Sequence, residues 1–450
     1  MAIANFHGKL IDSSHPEYAT ARFGWNAMID RKPALIARCS SIEDVVAAVK
    51  HAAASRLTAV ARCGGHSVSG ASLPEGGMVI DLGGLKQVEV DPEGRIAHVG
   101  GGALLGDLDA ATQAHALAVT AGVDPGTGAG GLTLGGGIGF LARKLGLTID
   151  NLVGAQVVLA DGSVVEANES SHPDLFWALR GGGGQFGIVT RFDLALHPIG
   201  PEIMVAWAFY PIAKAREVMR FVDGYIREAS DDVGMVTVFG TVSSADPFPE
   251  EWHGKHCAAV IASHVGEPET ARAALQPLVE LGDLIFGFVD PQPYVQFQRA
   301  FAEANPDGGR YYWKSVFVEE MGDVLVDALA EGLQGLPGEH STIFMEILGG
   351  AVSRISETDT AFANRKATYN LGIAPGWSDP ALDEEAVARA RELFDRIVPL
   401  SAGGVYLNYV DRDELARASE AFGPNFERLR GIKQHYDPQN LFGGVLGGAS

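Results

Sequence analysis

The chain has 450 residues, 46% of them hydrophobic, with a formal net charge of −22. One core rarely grows beyond about 250–300 residues, so the length predicts two domains, and the negative field excludes nucleic acid as a natural partner. Cys39, Cys63 and Cys257 are odd in number and widely spaced, which excludes a disulfide framework and a CxxC metal site.

No run reaches the roughly 18 apolar residues of a membrane span, and the N-terminal stretch lacks an apolar run behind a basic start. A cytoplasmic, membrane-free protein without a bound metal is the expectation, its oligomeric state open. In chain order, a strand is predicted at Ala34–Arg38. A helix then starts at Ser41, where Ser41 and Asp44 form a variant capping box ahead of Ile42, Val45, Val46 and Val49 on one face. Strands follow at Leu57–Ala61, Met78–Leu82, Val88–Val90 and Ile96–Val99, then a helix over Leu104–His115 and a strand at Leu117–Thr120. Beyond a glycine-rich loop, Gln156–Leu159 and Val164–Ala167 read as a hairpin turning at Gly162. A short helix at Asp174–Leu179 and a strand at Phe186–Leu196 lead to a boundary at His197–Pro201. From there to about Leu400 glycines are fewer and elements longer, the clearest being a helix from Asp383 with Val387, Ala390, Phe394 and Ile397 on one face. A strand at Val405–Val410 and a helix from Pro424 to about His435 close the chain.

Two glycine loops carry the chemistry. The first, Arg62-Cys63-Gly64-Gly65-His66-Ser67-Val68-Ser69-Gly70, follows a buried strand, and its glycines permit a tight turn whose N–H groups face an anion such as pyrophosphate. The second runs from Asp124 to Gly139, and its Gly126, Gly128 and Gly131 match GxGxxG. A dinucleotide fold needs a good helix directly afterwards. Gly135, Gly136, Gly137 and Gly139 interrupt that stretch at about 1 kcal/mol each, so a long loop lying along an extended cofactor is the better reading.

Several ordered motifs now agree. Arg62–Ser67 resembles the R-x-G-G-H-S of the berberine-bridge-like FAD-linked oxidases, in the vanillyl-alcohol-oxidase (PCMH-type) superfamily. Gly126–Gly139, Gly146–Asn151 and Gly183–Thr190 follow in the family's order, as do Asp359–Arg365, Tyr406–Asp411 and Asp437–Phe442. The resemblance implies an α+β fold. A PCMH-type FAD-binding domain of two α/β subdomains would span 1–200, a substrate domain with an antiparallel sheet covered by helices 201–400, and a returning segment 401–450.

It implies FAD bonded covalently to His66. The remaining cofactor contacts would come from Arg62, Cys63, Gly64, Gly65, Ser67, Ser69 and Gly70; from Gly126, Thr127, Gly130, Gly131, Leu134, Gly136 and Gly137; and from Gly187, Val189, Tyr406 and Asn408. Asp124 stands where many relatives have a second flavin-linking cysteine, so a single covalent bond is expected. Leu132 replaces a common histidine, and Thr127 a common valine.

In such a site the cofactor takes a hydride while a base removes a substrate proton. The family pattern makes Tyr409 that base, with Tyr406 beside it. A tyrosine ionised at neutral pH needs about 3 units of depression from its usual value of about 10, or roughly 4 kcal/mol, and no cation is evident in the sequence. Spacing of three puts Tyr406 and Tyr409 on opposite faces of a regular strand, so both reach the flavin only if the segment is irregular. Leu132, Tyr312 and Glu346 are substrate-side candidates, with Tyr311 and Trp313 in the same aromatic cluster.

The implied activity is oxidation of a small alcohol, sugar or secondary-metabolite intermediate by O2, giving H2O2. The alternatives are an oxygenase of the favorskiiase-like flavin-N5-oxide subgroup, matching at Thr127 and Leu132, and a non-catalytic flavin-binding protein.

Overall fold

The structure is a computed structural model and describes residues 3–411 and 417–446. Strands β1 (Lys9–Ile11), β2 (Leu35–Arg38), β3 (Ala59–Arg62) and β4 (Met78–Asp81) form a sheet in the order β1-β2-β4-β3, parallel except for β1. The helix Ile42–Ser55 covers it. Ser41 Oγ accepts the Asp44 N–H at 3.2 Å, capping that helix, and Val45, Ala48, Val49 and Ala52 bury against Leu35, Ala37, Met78 and Ile80.

A second sheet is antiparallel. It consists of β5 (Val88–Asp91) and β6 (Ile96–Gly100), then, past the two-residue β7 (Leu117–Ala118), of β8 (Leu152–Val158), β9 (Val164–Ala167) and β10 (Ile188–Ala195), in the order β5-β6-β10-β8-β9. Strand β7 pairs antiparallel with β11 (His197–Pro198). The GxGxxG segment therefore follows no parallel strand, which removes the dinucleotide-fold topology.

The long strands after the predicted boundary are β12 (Glu202–Pro211), β13 (Val233–Thr241), β14 (His256–His264) and β15 (Phe286–Pro293). Past β16 (Arg310–Tyr311) come β17 (Lys314–Val318), β18 (Thr342–Ile347) and β19 (Tyr369–Ala374). The seven form one antiparallel sheet, β15-β12-β14-β13-β18-β19-β17. Alternation gives it two faces. Ala206, Ala208, Met235, Val260, Val316, Ile343, Met345 and Leu371 pack against the helices Ala215–Glu228, Asp323–Gly335 and Asp383–Ile397. At about 1.5–3 kcal/mol per large apolar side chain, this face anchors the sheet. The opposite face carries Trp207, Val236, Ile261, Phe344, Glu346, Asn370 and Phe317, turned towards Phe140, Ile138 and Tyr406 of the other elements.

The tail returns to the first half. In the helix Phe426–Tyr436, Leu429 and Ile432 join the core around Phe176 and Leu179. Lys433 Nζ, buried, donates to the carbonyls of Gln185 (2.7 Å) and Gly443 (2.8 Å) and to Asp437 (2.7 Å). Among the described residues no helix is long and apolar enough to cross a membrane.

Two expectations are corrected. The stretch read as a long loop contains a helix, Ala129–Gly135; Ala129 and Thr133 are buried and Gly130 lies against Phe192, so packing outweighs poor propensity. The strand expected at Val405–Val410 is absent: Leu407–Tyr409 is a 3₁₀ turn.

Candidate active site

Strand β3 delivers the first glycine loop against the second. A Cβ on Gly64 would lie 2.6 Å from Gly126 O and from Gly128 N, so only glycine permits this contact. Beyond it, Gly65 adopts φ +73°, and the N–H groups of Gly65, His66, Ser67, Val68 and Ser69 donate to no described protein acceptor. Successive free N–H groups around a left-handed residue form a concavity that fits an anionic pyrophosphate.

His66 sits between the loops. Thr127 Oγ1 is 3.4 Å from its Nδ1, and a Cβ on Gly126 would be 3.1 Å from its Nε2. Its ring stacks on Trp25 (centroids 5.3 Å apart, 15° between planes), and Trp25 stacks in turn on Tyr311 (3.9 Å, 3°). Burial lowers the His66 pKa, against an opposing pull from Asp124 and Asp307. The imidazole is thus neutral at neutral pH, with a nitrogen lone pair available for a covalent bond. Asp124 Oδ1 accepts the Gly126 N–H at 2.8 Å.

The other residues of the first loop serve differently from one another. The Arg62 guanidinium turns away, donating to Asp81 Oδ2 (2.6 Å) and Ala21 O (2.5 Å), so its side chain is a structural pin rather than a cofactor contact. The Cys63 thiol donates to Ala103 O at 3.1 Å, and burial pushes its pKa up to about 11, which leaves it unreactive. Ser67 Oγ is 3.3 Å from Ser69 Oγ and accepts the Ala71 N–H. Gly70 O is held by Arg31 Nη1 at 2.7 Å.

In the second loop Gly131 is open, with nothing near its absent Cβ, so a ligand can lie flat against it. Leu134 O accepts the Gly183 N–H, fastening the loop to the segment before β10. Gly187 presses on Val157, and Val189 is buried in β10.

The tail turn docks onto this loop. Tyr406 Oη accepts the N–H groups of Gly137 (3.0 Å) and Ile138 (3.3 Å) and the Asn408 amide (2.9 Å); that amide also donates to Leu132 O at 3.0 Å. Gly136 and Gly137, at φ +134° and +81°, turn the backbone to present those N–H groups. Residues three apart eclipse in a 3₁₀ turn, and Tyr406 and Tyr409 accordingly meet edge to face with centroids 4.8 Å apart. The irregular segment that both tyrosines required is present.

Across from them stands the face of the seven-stranded sheet. Tyr409 Oη donates to Glu346 Oε1 at 3.0 Å, and Asn370 Nδ2 donates to Glu346 Oε2 at 2.6 Å. Burial pushes the Glu346 pKa up to about 7, and among the described residues no cation opposes it. Burial, and then the facing carboxylate, raise Tyr409 well above the usual tyrosine value. The geometry therefore supplies a protonated Tyr409 next to a proton acceptor and, among the described residues, no cation that would keep it as tyrosinate.

Trp313 closes the wall edge to face with Tyr409 (5.1 Å), Phe344 (5.8 Å) and Trp25 (5.8 Å). Tyr312 points the other way. It lies in the helix-side core, accepting from Arg391 Nε at 3.0 Å, because it has the opposite strand parity to Trp313; the substrate-side candidate is corrected accordingly. Trp25 and Asn370 join the site with no motif to mark them; a lone Asn in the apolar run Tyr369–Ala374 is the one sequence signal for the latter.

A buried ion pair joins two of the sequence motifs: Arg365 Nη1 and Nη2 reach both oxygens of Asp150 at 2.7 and 2.9 Å. It fixes the turn that carries Thr148 beneath Gly137.

The family described as FAD binding domain matches residues 33–168, and that described as berberine and berberine like matches 405–444. The FAD-linked oxidoreductase pgmH of Aspergillus terreus is 30% identical over 468 residues, covering 96% of this chain and 91% of that protein. The crystal structure of 6-hydroxy-D-nicotine oxidase from Arthrobacter nicotinovorans aligns with TM-score 0.86 and 26% identity, over 97% of this chain and 96% of that one. Xylooligosaccharide oxidase from Myceliophthora thermophila, in complex with xylobiose, aligns with TM-score 0.83 and 26% identity, over 98% and 96%.

Proposed function

Given that the chain belongs to the berberine-bridge-like FAD-linked oxidoreductases, we propose that it holds FAD through one covalent bond at His66 and oxidises a small organic alcohol, sugar or secondary-metabolite intermediate with O2, releasing H2O2. Residues 1–200 with the returning segment 401–450 hold the cofactor, 201–400 roof the substrate, and the enzyme acts in the cytoplasm. The free N–H groups of the first loop support the pyrophosphate, and the open surface at Gly131 supports the extended cofactor.

When bound, FAD supplies the two-electron chemistry, taking hydride from a substrate C–H and passing the electron pair to O2. The protein moves the proton. Tyr409 Oη takes it from the substrate O–H or N–H while its own proton passes along the 3.0 Å hydrogen bond to Glu346. The substrate thus loses one hydride and one proton, Tyr409 ends as it began, and Glu346 ends neutral. Tyr406 and Asn408 fasten the turn that aims Tyr409. Leu132, half-buried within the second loop, packs beside Gly122 and Gly137.

The Tyr409–Glu346 pair beside the His66 stack is the observation that carries this reading. A substrate panel scored by peroxide release and by anaerobic flavin bleaching tests it. Bleaching by an alcohol, amine or sugar, with stoichiometric peroxide in air, is expected. Flavin that persists reduced in air would refute the oxidase.

A further inference from the structure

Glu346 is a buried carboxylate that must change charge to work, and the contact controlling that change comes from the neighbouring strand. Register pairs Glu346 with Asn370 across β18 and β19, and both point to the site face. Asn370 is fully buried. Its Nδ2 makes the 2.6 Å bond to Glu346 Oε2, while its Oδ1, also buried, has no partner among the described residues. A buried acceptor left without a partner is destabilising, so an amide is a poor choice here if its only task is to fill space.

Among the described residues the groups facing Glu346 are few. Tyr409 and Tyr406 approach from the tail turn, Val236 from β13 and Asn370 from β19. On β19 the titratable Tyr369 points to the helix side, where it bonds Asp223. Arg143, in the helix Ala142–Leu145, spends its guanidinium on the carbonyls of Val233, Leu348, Ile226 and Ala229 and lies 3.7 Å from Asp231. An Arg or Lys in place of Asn370 would hold the carboxylate ionised and depress its pKa by about 1–3 units, leaving a poor proton acceptor. A leucine would offer nothing to the ionised form.

We propose that Asn370 is a positioning residue that tunes Glu346 as proton acceptor by serving both of its charge states. Its Nδ2–H donates to the carboxylate; once Glu346 holds the proton, the amide turns over and Oδ1 accepts from the Glu346 hydroxyl. The two ends of an amide are almost the same shape, so the turn needs no repacking. The unpartnered Oδ1 is the acceptor held ready for the second state. This inference rests on the Tyr409–Glu346 proton path proposed above.

The test is the pH profile of anaerobic flavin reduction in the FAD-loaded enzyme, for wild type, Glu346→Gln and Asn370→Leu. Wild type should show one ionisation near neutrality, with Glu346→Gln lacking it. Asn370→Leu should keep the ionisation but move it at least one unit higher, so that the rate falls about fivefold or more at pH 7 and recovers at high pH. A rate lowered equally at every pH, with the ionisation unmoved, would overturn the role of Asn370 and leave a structural residue. An ionisation that survives Glu346→Gln would instead overturn the proton path itself. If Asn370→Leu does not fold, Asn370→Ala, whose side chain neither donates nor accepts, is titrated in its place, and an unmoved ionisation there overturns the role equally.

Discussion

Replacing Tyr409 by phenylalanine removes one oxygen and keeps the ring, so the edge-to-face contacts with Trp313, Phe344 and Tyr406 survive. What disappears is the path from substrate to Glu346 and one of the two donors on a buried carboxylate. A positioned acid–base group is worth about 10²–10⁴ in rate, or roughly 3–5 kcal/mol, and that is the expected loss in anaerobic flavin reduction by stopped flow. Flavin content should be unchanged, because no cofactor-loop atom touches the lost hydroxyl. The pH dependence has a definite sign. Glu346 accepts a proton only when ionised, so the wild-type rate rises through pH 7 to a plateau and falls about tenfold per unit on the acid side. In Tyr409→Phe the slow residual rate should lose that dependence. Reduction at the wild-type rate would refute the reasoning and move the proton transfer elsewhere.

Acid-precipitated protein should stay yellow, and a His66 peptide should carry the FAD mass; His66→Ala should release its flavin, and Asp124 should carry no second adduct. Removing Arg365 as Arg365→Met leaves Asp150 as an unpaired buried charge, an expected cost of about 3–5 kcal/mol in denaturant unfolding. Asp109 is buried with its pKa pushed up to about 7, so it destabilises the fold increasingly as pH rises from its unfolded value near 4 to 7; Asp109→Asn should raise the melting temperature at pH 8.5 and have little effect at pH 4. Thr127, whose hydroxyl borders His66, should govern reoxidation: Thr127→Val should change the O2 reaction more than substrate binding, with peroxide and no ¹⁸O in the product.

The residues proposed to hold the cofactor were legible in the sequence because their chemistry is local. A tight turn with free N–H groups needs glycines next to His66, and Asp124, where many relatives carry a cysteine, is the ground for proposing a single linkage. The helical period from Asp383 was equally plain, since one helix face suffices to reveal it. The catalytic side was not local. Alternation shows that a strand has two faces without saying which looks at the cofactor, so Tyr312 and Trp313 could not be ranked until the helices claimed one side. Tyr406 and Tyr409 were readable as a spacing of three, but only docking on Leu132, Gly137 and Ile138 winds that spacing into a turn that brings them together. Asn370 meets Glu346 and Trp25 meets Tyr311 through strand register and interface packing, and the free energy of those long-range contacts exists only once the whole chain has closed.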